Sequence, residues 1–460
     1  MAGESSGLWN NLPSIIIVEI LSFLKLKDRL NASSVCKAWR TNLFHPKLWR
    51  KVVFQLNSCD NTKSVNQHGA RFLAKHCGRF VRDVVIQVNS SNPRDVQLCK
   101  EVLNVLTHNN NLRALSIKPL SSRLEWTDYN DTLSLDQYVD SLISIIKRAR
   151  SIEHLSLGCI EELLDRSPLL LPLLAQLHSF SLRSLHLSSI KEVPGSYLTH
   201  PTIISGSLFK SFDLLESLSI DYDYLDDQLL EVLARPPRRM KRLNVHVHKL
   251  ERGVSRPSDD AWKQISTCSP NLEVTITLLH LEGDIRNLLS PEMPLANFRA
   301  YFSSGFRTES VAKLAYLNDQ TLRSLVLVDG LNDDDSPMTS FLNSRIDPLI
   351  ILAWRCQKLT SMKIIGYEVD ADSLIAISRL RGEQLQELLI PGCCINSIQL
   401  EESEQFPRES AFEHMGNEVS FALQKFWQPL TFCELPLAVR NINADADGAY
   451  LEELLRDQTW

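Results

Sequence analysis

Few of the 460 residues fall into spacings that could do chemistry, and each such spacing lacks something its chemistry needs. Gly3-Glu4-Ser5-Ser6-Gly7 carries the letters of a serine nucleophile elbow. An elbow needs a strand before it and a helix after it, and here only a polar tail surrounds the serines. Asn443-Ala444-Asp445-Ala446-Asp447-Gly448 resembles the first half of a calcium loop. The twelfth position should be a bidentate carboxylate and is Leu454, so an Asx/Gly turn leading into a last helix, Tyr450 to Leu455, is the expectation. His246 and His248 alternate with Val245 and Val247, which puts both imidazoles on one face of a strand. With no evident third ligand they read as a polar strand face rather than a metal site. The ten cysteines are dispersed and include no C-x-x-C pair, which suits reduced thiols better than a zinc site or a disulfide framework. Arg235, Arg238, Arg239, Lys241 and Arg242 form the densest basic patch, interrupted by Pro236-Pro237. It reads as a solvated turn before a strand, with an import signal or a contact to an acidic target as the functional alternatives. Asp333-Asp334-Asp335 reads as a solvated loop. No P-loop, H-E-x-x-H, dinucleotide fingerprint or catalytic cysteine arrangement occurs. The expectation is a protein with no catalytic, metal-binding or cofactor-binding residues.

The composition agrees with that expectation. A net charge of −6, from 49 basic and 55 acidic side chains, gives no electrostatic reason to expect nucleic acid as a partner. No apolar run is long enough for a membrane span, and no basic segment followed by an apolar stretch opens the chain. The expected compartment is therefore intracellular, cytoplasmic or nuclear. Leucine occupies 74 positions and glycine only 16, which argues against Gly-rich nucleotide folds and for helices or leucine repeats.

From Phe72 onward a unit of the form L-x-x-L-x-L recurs, with apolar swaps: Val81-Val84-Ile86, Leu112-Leu115-Ile117, Ile152-Leu155-Leu157, Leu182-Leu185-Leu187, Leu215-Leu218-Ile220, Met240-Leu243-Val245, Leu322-Leu325-Leu327, Leu359-Met362-Ile364 and Leu385-Leu388-Ile390. Val274, Ile276 and Leu278 alternate as a degenerate strand, and Gly283 to Asn318 lies in the widest gap. Between the units run helical stripes: Leu135, Tyr138, Leu142, Ile145 and Ala149; Leu225, Leu229 and Leu233; Leu349, Leu352 and Cys356; Leu374, Ile377 and Leu380. Strand and helix alternating in this way predict an α/β fold, an irregular leucine-rich-repeat solenoid with parallel strands on the concave side and helices on the convex side. The polar residue that should follow each strand is present only as Asn89 and Cys393, so regular curvature is not expected.

The first fifty residues are organised differently. Pro13 suits the first turn of a helix, and Ile16, Ile17, Ile20, Leu21 and Leu24 form its apolar stripe. Leu30 and Ala32 begin a second short helix, Val35, Cys36 and Trp39 a third, and Phe44, Leu48 and Trp49 close the segment. Three short helices cannot bury two indoles among themselves, so the module either caps the following domain or offers a face to another protein. Leu12-Pro13, Glu19-Ile20-Leu21-Ser22-Phe23-Leu24, Asp28-Arg29, Val35-Cys36-Lys37-Ala38-Trp39-Arg40 and Leu48-Trp49 together resemble the F-box family. Ile15 stands where many F-boxes carry an acidic residue, at a permissive position. The resemblance implies a three-helix module that binds the Skp-type adaptor of a cullin–RING ubiquitin ligase. It implies an adaptor-binding set of Leu12, Pro13, Ile16, Ile17, Ile20, Leu24 and Trp39, with Leu21, Val35 and Trp49 serving the module's own fold. The repeats would then bind an unknown protein target for ubiquitination, and the alternative is a scaffold that binds the adaptor without delivering a substrate.

A second stretch, Asp347 to Gly382, resembles the C-terminal repeats of F-box proteins of this kind. Trp354, Arg355, Arg379 and Arg381 within it are candidate substrate-facing residues, since Trp and Arg are enriched in binding hot spots. Cations near a helix C-terminus explain Arg379 and Arg381 equally well. The expected organisation is a disordered segment 1–8, the F-box 9–55, a linker 56–70, the repeat array 71–400 and a C-terminal extension 401–460. In that extension Phe421, Leu423 and Phe426 are candidate buried residues of a helix that caps the last repeat.

Overall fold

The computed structural model describes residues 9, 12–56, 64–90, 92–120, 132–191, 204–248, 250, 256–282, 284–285, 288–304, 306–332, 334–340, 347–396, 408–441 and 443–459. The expectations for the segment 1–8, for Cys59 and for the acidic stretch around Glu401 lie outside these residues. Three short helices come first: α1 (Ser14–Ser22), α2 (Leu26–Ser33) and α3 (Lys37–Asn42). Then strands and helices alternate through β1 (Lys51–Leu56), α4 (Ser64–Cys77), β2 (Asp83–Val88), α5 (Pro93–Leu106), β3 (Ala114–Pro119), α6 (Thr132–Arg148), β4 (His154–Ser156), α7 (Glu161–Asp165), α8 (Ser167–His178), β5 (Ser184–His186), β6 (Ser217–Asp221), α9 (Asp227–Leu233), β7 (Arg242–Val247), α10 (Asp259–Cys268) and β8 (Glu273–Leu279). The chain continues through β9 (Leu295–Tyr301), α11 (Thr308–Leu317), β10 (Ser324–Val328), β11 (Thr339–Ser340), α12 (Pro348–Arg355), β12 (Ser361–Ile365), β13 (Tyr367–Asp370), α13 (Ala371–Arg381), β14 (Glu387–Leu389), β15 (Ile395–Asn396), α14 (Arg408–Leu423), α15 (Leu437–Arg440) and α16 (Asp447–Asp457).

Two compact units result, residues 1–157 with 169–182, and residues 158–168 with 183–460. In the first, β1 to β4 pair in sequence order, all parallel. In the second, β5, β6, β7, β8, β9, β10, β12 and β14 pair in sequence order, again all parallel, beside a small parallel set of β11, β13 and β15. Parallel neighbours need crossovers, and right-handed crossovers place every helix on the same face. The leucine units supply the apolar side of each strand: Leu218, Ile220, Leu243, Val245, Val274, Ile276, Phe298 and Ala300 are all buried. The architecture is the α/β leucine-rich-repeat type expected from the periodicity.

Five of the described strands were not among those expected: β1, β9 and the short β11, β13 and β15. Leu295-Phe298-Ala300 is the missing unit in the gap from Gly283 to Asn318, hidden because Phe and Ala replace two leucines. β1 falls at the end of the segment assigned to the F-box, yet it pairs with β2 as the first strand of the array. Likewise α4 begins at Ser64, inside the expected linker. The ties between turns also differ from expectation. Cys393 is exposed and does not serve as a ladder residue. Instead a polar side chain just before a strand reaches back to the start of the preceding unit. Asn109 donates to Val81 O at 2.7 Å, Ser181 to Ile152 O at 2.8 Å, Asn318 to Met293 O at 3.2 Å and Arg381 to Cys356 O at 2.7 Å. Ser269 accepts from Met240 N at 3.0 Å. Arg238 donates to Phe212 O at 2.8 Å, Phe209 O at 2.9 Å and Val232 O. These side chains add hydrogen bonds to backbone groups between repeats, outside the strand ladder.

Candidate functional site

The N-terminal module is two-faced along α1. Ile17, Val18 and Leu21 are buried, whereas Ile16, Ile20 and Phe23, spaced four and three apart, share the opposite face. Phe23 is 81% exposed and Ile15 76%, with Ile16 also exposed and Leu12, Ile20 and Leu24 partly so. Pro13 is exposed at the helix start and accepts from the backbone N–H groups of Ile16 and Ile17. Trp39 is half-buried, its indole N–H donating to Trp9 O at 3.2 Å.

Two residues change roles. Ile17, counted with the interface set, is 1% exposed and belongs to the module's core. Val35, expected inside, is 75% exposed. The swap follows from helix phase: 17, 18 and 21 face one way, and Val35 precedes α3 in a turn rather than lying on its stripe. Phe23 and Ile15 are outside the expected adaptor-binding set, although Phe23 lies on the same stripe as Ile16 and Ile20.

What holds this face rigid is Arg29. Its guanidinium donates to Leu21 O at 3.1 Å, Leu24 O at 3.1 Å and Leu48 O at 2.6 Å, and lies 5.7 Å from the Trp49 ring centre. α1 has no basic residue in its own last turn, so Arg29 satisfies the carbonyls that end it. Trp49 in turn donates to Leu43 O, and Lys47 pairs with Glu19 across the module.

The four residues expected to face a substrate do not form one free patch. Trp354 is 65% exposed. Arg355 pairs with Asp319 at 3.0 Å, donates to Ala315 O at 3.1 Å and stacks over Tyr316 at 4.4 Å. Arg379 reaches Glu418 of α14 at 2.6 Å. Arg381 is buried against Cys356 O and Gln384. The three arginines sit between neighbouring helices of the array and are occupied by this chain. The basic patch is divided in the same way. Arg238 is buried, Arg239 donates to Cys268 O, Lys241 pairs with Glu216 at 2.8 Å, and Arg242 donates to Thr459 O at 3.2 Å.

His246 and His248 do share a face, and Asp221 supplies the third group that the sequence did not reveal: the three present atoms within 4.8 Å of one another, all buried. Both rings donate to Ser189 O, at 2.9 and 3.1 Å, while Ser189 donates its N–H and O–H to Asp221 at 2.8 and 2.5 Å. One ring nitrogen of each histidine thus serves Ser189. Burial lowers the affinity of both imidazoles for a proton, most strongly at His248, whose neighbours Lys191 and His246 act in the same direction. Cys77, Cys99, Cys159, Cys356 and Cys394 are buried thiols pushed up to about 12 by desolvation. The 443–448 segment forms Asx turns, Asn441 accepting from Asn443 N and Asp445 from Asp447 N, ahead of α16.

The chain is similar to known proteins along most of its length. Residues 9–55 match the F-box-like family model. F-box only protein 33 of mouse is 28% identical over 93% of this chain and 84% of its own length. F-box/LRR-repeat protein 21 of cattle is 26% identical over 83% of this chain and 84% of its own. A solved leucine-rich repeat-containing protein, LegL7 from Legionella pneumophila, aligns over 82% of this chain and 98% of its own at 14% identity and a TM-score of 0.32. Among the described residues no helix is long and apolar enough to cross a membrane. The chain therefore carries an F-box-like domain at residues 9–55, followed by leucine-rich-repeat-type α/β structure, and is similar along most of its length to F-box only protein 33.

Proposed function

We propose that this protein is the substrate-recognition subunit of a cullin–RING ubiquitin ligase of the Skp–cullin–F-box type, acting inside the cell, in cytoplasm or nucleus. The F-box-like module binds the Skp-type adaptor, the repeats bind a target protein, and ubiquitin transfer is performed by the recruited partners. The receptor contributes proximity, which raises the effective concentration of target beside the charged conjugating enzyme. The observation that carries the adaptor half is the outer face of α1. Large apolar side chains at Ile16 and Phe23 stay in water, with Ile20 partly exposed between them, along a helix whose other face is packed. An exposed stripe of that kind marks a protein-interaction surface. We assign Leu12, Pro13, Ile16, Ile20, Phe23, Leu24 and Trp39 to it and remove Ile17.

Titration of the purified chain with the adaptor tests this. The Ile16→Ala, Phe23→Ala double variant should bind at least thirtyfold more weakly, a loss of about 2 kcal/mol. Unchanged affinity would overturn the assignment.

A further inference from the structure

The strand face opposite the helices in the second unit is polar, and the chain covers it with its own C-terminus. Asn244, His246, Thr275, Thr277, Arg299 and Tyr301 share this face across β7, β8 and β9, as the register of the strands requires. All six are buried. α16 is what buries the β9 end of this face. Arg299 forms ion pairs with Asp457 and, at 3.2 Å, with Glu453; Tyr301 donates to Glu453 at 2.6 Å. The contacts continue at both ends of the helix: His280 meets the Tyr450 hydroxyl at 3.2 Å, and Gln458 donates to the Cys159 sulfur at 2.8 Å.

α16 has the form of a docked ligand. Tyr450, Leu451, Leu454 and Leu455 make one buried apolar stripe, while Glu453 and Asp457, four apart, deliver two carboxylates to one guanidinium. The receiving surface is built from residues that remain comfortable in water. A permanent core contact would favour apolar side chains, as on the opposite face of the same strands. Strain collects at the same place. Cys159, His280 and Phe302 have φ values of 61°, 51° and 49°, and each touches α16: Cys159 through Gln458, and the stacked His280 and Phe302 rings through Tyr450. Left-handed backbone at non-glycine residues is held only where surrounding contacts impose it.

We propose that the open face of the second unit is a docking groove for an acidic amphipathic helix, that α16 occupies it in cis, and that a target segment of the same chemistry displaces α16 to bind. The target part rests on the receptor reading above, whereas the groove and its cis occupant do not.

The test uses the full chain and a fluorescent synthetic peptide of residues 444–459. In the Glu453→Lys, Asp457→Lys variant, amide hydrogen exchange of α16 should rise while β8 and β9 stay protected, and the peptide should bind at least tenfold more tightly than to the wild type. A peptide carrying the same two lysines should not bind. Undiminished protection of α16 in the variant, or a released α16 with no gain in peptide binding, would overturn the proposal. Should the variant unfold as a whole, the wild-type chain decides. α16 amides that exchange faster than those of β8 and β9 support a releasable helix, and exchange of all three at the global rate refutes it. Adaptor titration of the same variant keeps the two readings apart, since the groove can fail with the adaptor still bound.

Discussion

Arg29 and Arg238 show how a single side chain can organise a segment without touching a partner. Each guanidinium donates to three backbone carbonyls from separate positions, a geometry that a lysine ammonium cannot reproduce. Arg238→Met should destabilise the second unit by about 3 kcal/mol or more, read as a lowered denaturation midpoint, because the buried hydrogen bonds to Phe209 O, Phe212 O and Val232 O are all lost. Arg238→Lys should recover only part of the loss. Acid sensitivity also resides at this scale. His246 and His248 are held neutral by burial in the fold, but take up protons in the unfolded chain over the ordinary histidine range. The unfolded state then binds more protons, so stability falls as pH drops through that range and levels off below the depressed folded values. Glu161, pushed up to about 7 by burial, acts in the opposite direction, losing stability as pH rises through that value. Comparing wild type with His246→Gln, His248→Gln in melting curves taken across mildly acidic pH cancels the glutamate, and the variant should lose less stability on acidification. Neither arginine's role was legible in the sequence. A basic cluster interrupted by prolines looks solvated, and only the fold brings the carbonyls of Phe209 and Phe212 to Arg238.

At the scale of elements, most strands were legible because L-x-x-L-x-L fixes both the period and the buried side. β9 escaped because Phe298 and Ala300 fill leucine positions with one larger and one smaller side chain. Helix faces were legible where the stripe was complete, as in Leu135 to Ala149, all buried. They were misread near helix ends. Leu380 and Phe421 project into solvent, and so does Phe426 beyond α14, while Met415, Val419 and Leu423 supply the packed face of α14. Trp427 completes that packing by donating to Leu388 O at 2.8 Å, which closes the β14 end of the array. Within α1 the two faces make opposite predictions. Ile17→Ala should lower stability by about 2–5 kcal/mol through the cavity it leaves. Phe23→Ala should leave the melting temperature unchanged and weaken adaptor binding. The pair of measurements separates a fold residue from an interface residue on one helix.

Across the whole molecule, what local pattern could not supply was the destination of the last helix. Its apolar stripe, Tyr450 to Leu455, is plain in the sequence, and periodicity gives a face without naming what covers it. The covering contacts join residues 152 to 299 positions apart. The C-terminal extension was expected to cap the last repeat. Its first part, α14 with Trp427, packs there, and its last part returns to β9. A chain that carries its own helix on the open strand face has a surface already matched to one ligand chemistry. Truncating Arg299 in the full chain should raise hydrogen exchange in α16 and leave adaptor affinity unaltered, because the F-box-like module belongs to the other unit.

At every scale the proposed function turns on whether residues 9–55 deliver this protein to the adaptor. Co-expression of the full chain with the Skp-type adaptor, followed by size-exclusion chromatography with mass detection, tests it most directly. The expected result is a one-to-one complex for the wild type, and free elution of a folded Ile16→Asp, Phe23→Asp variant. A wild-type chain that elutes folded and alone in the presence of excess adaptor would contradict it.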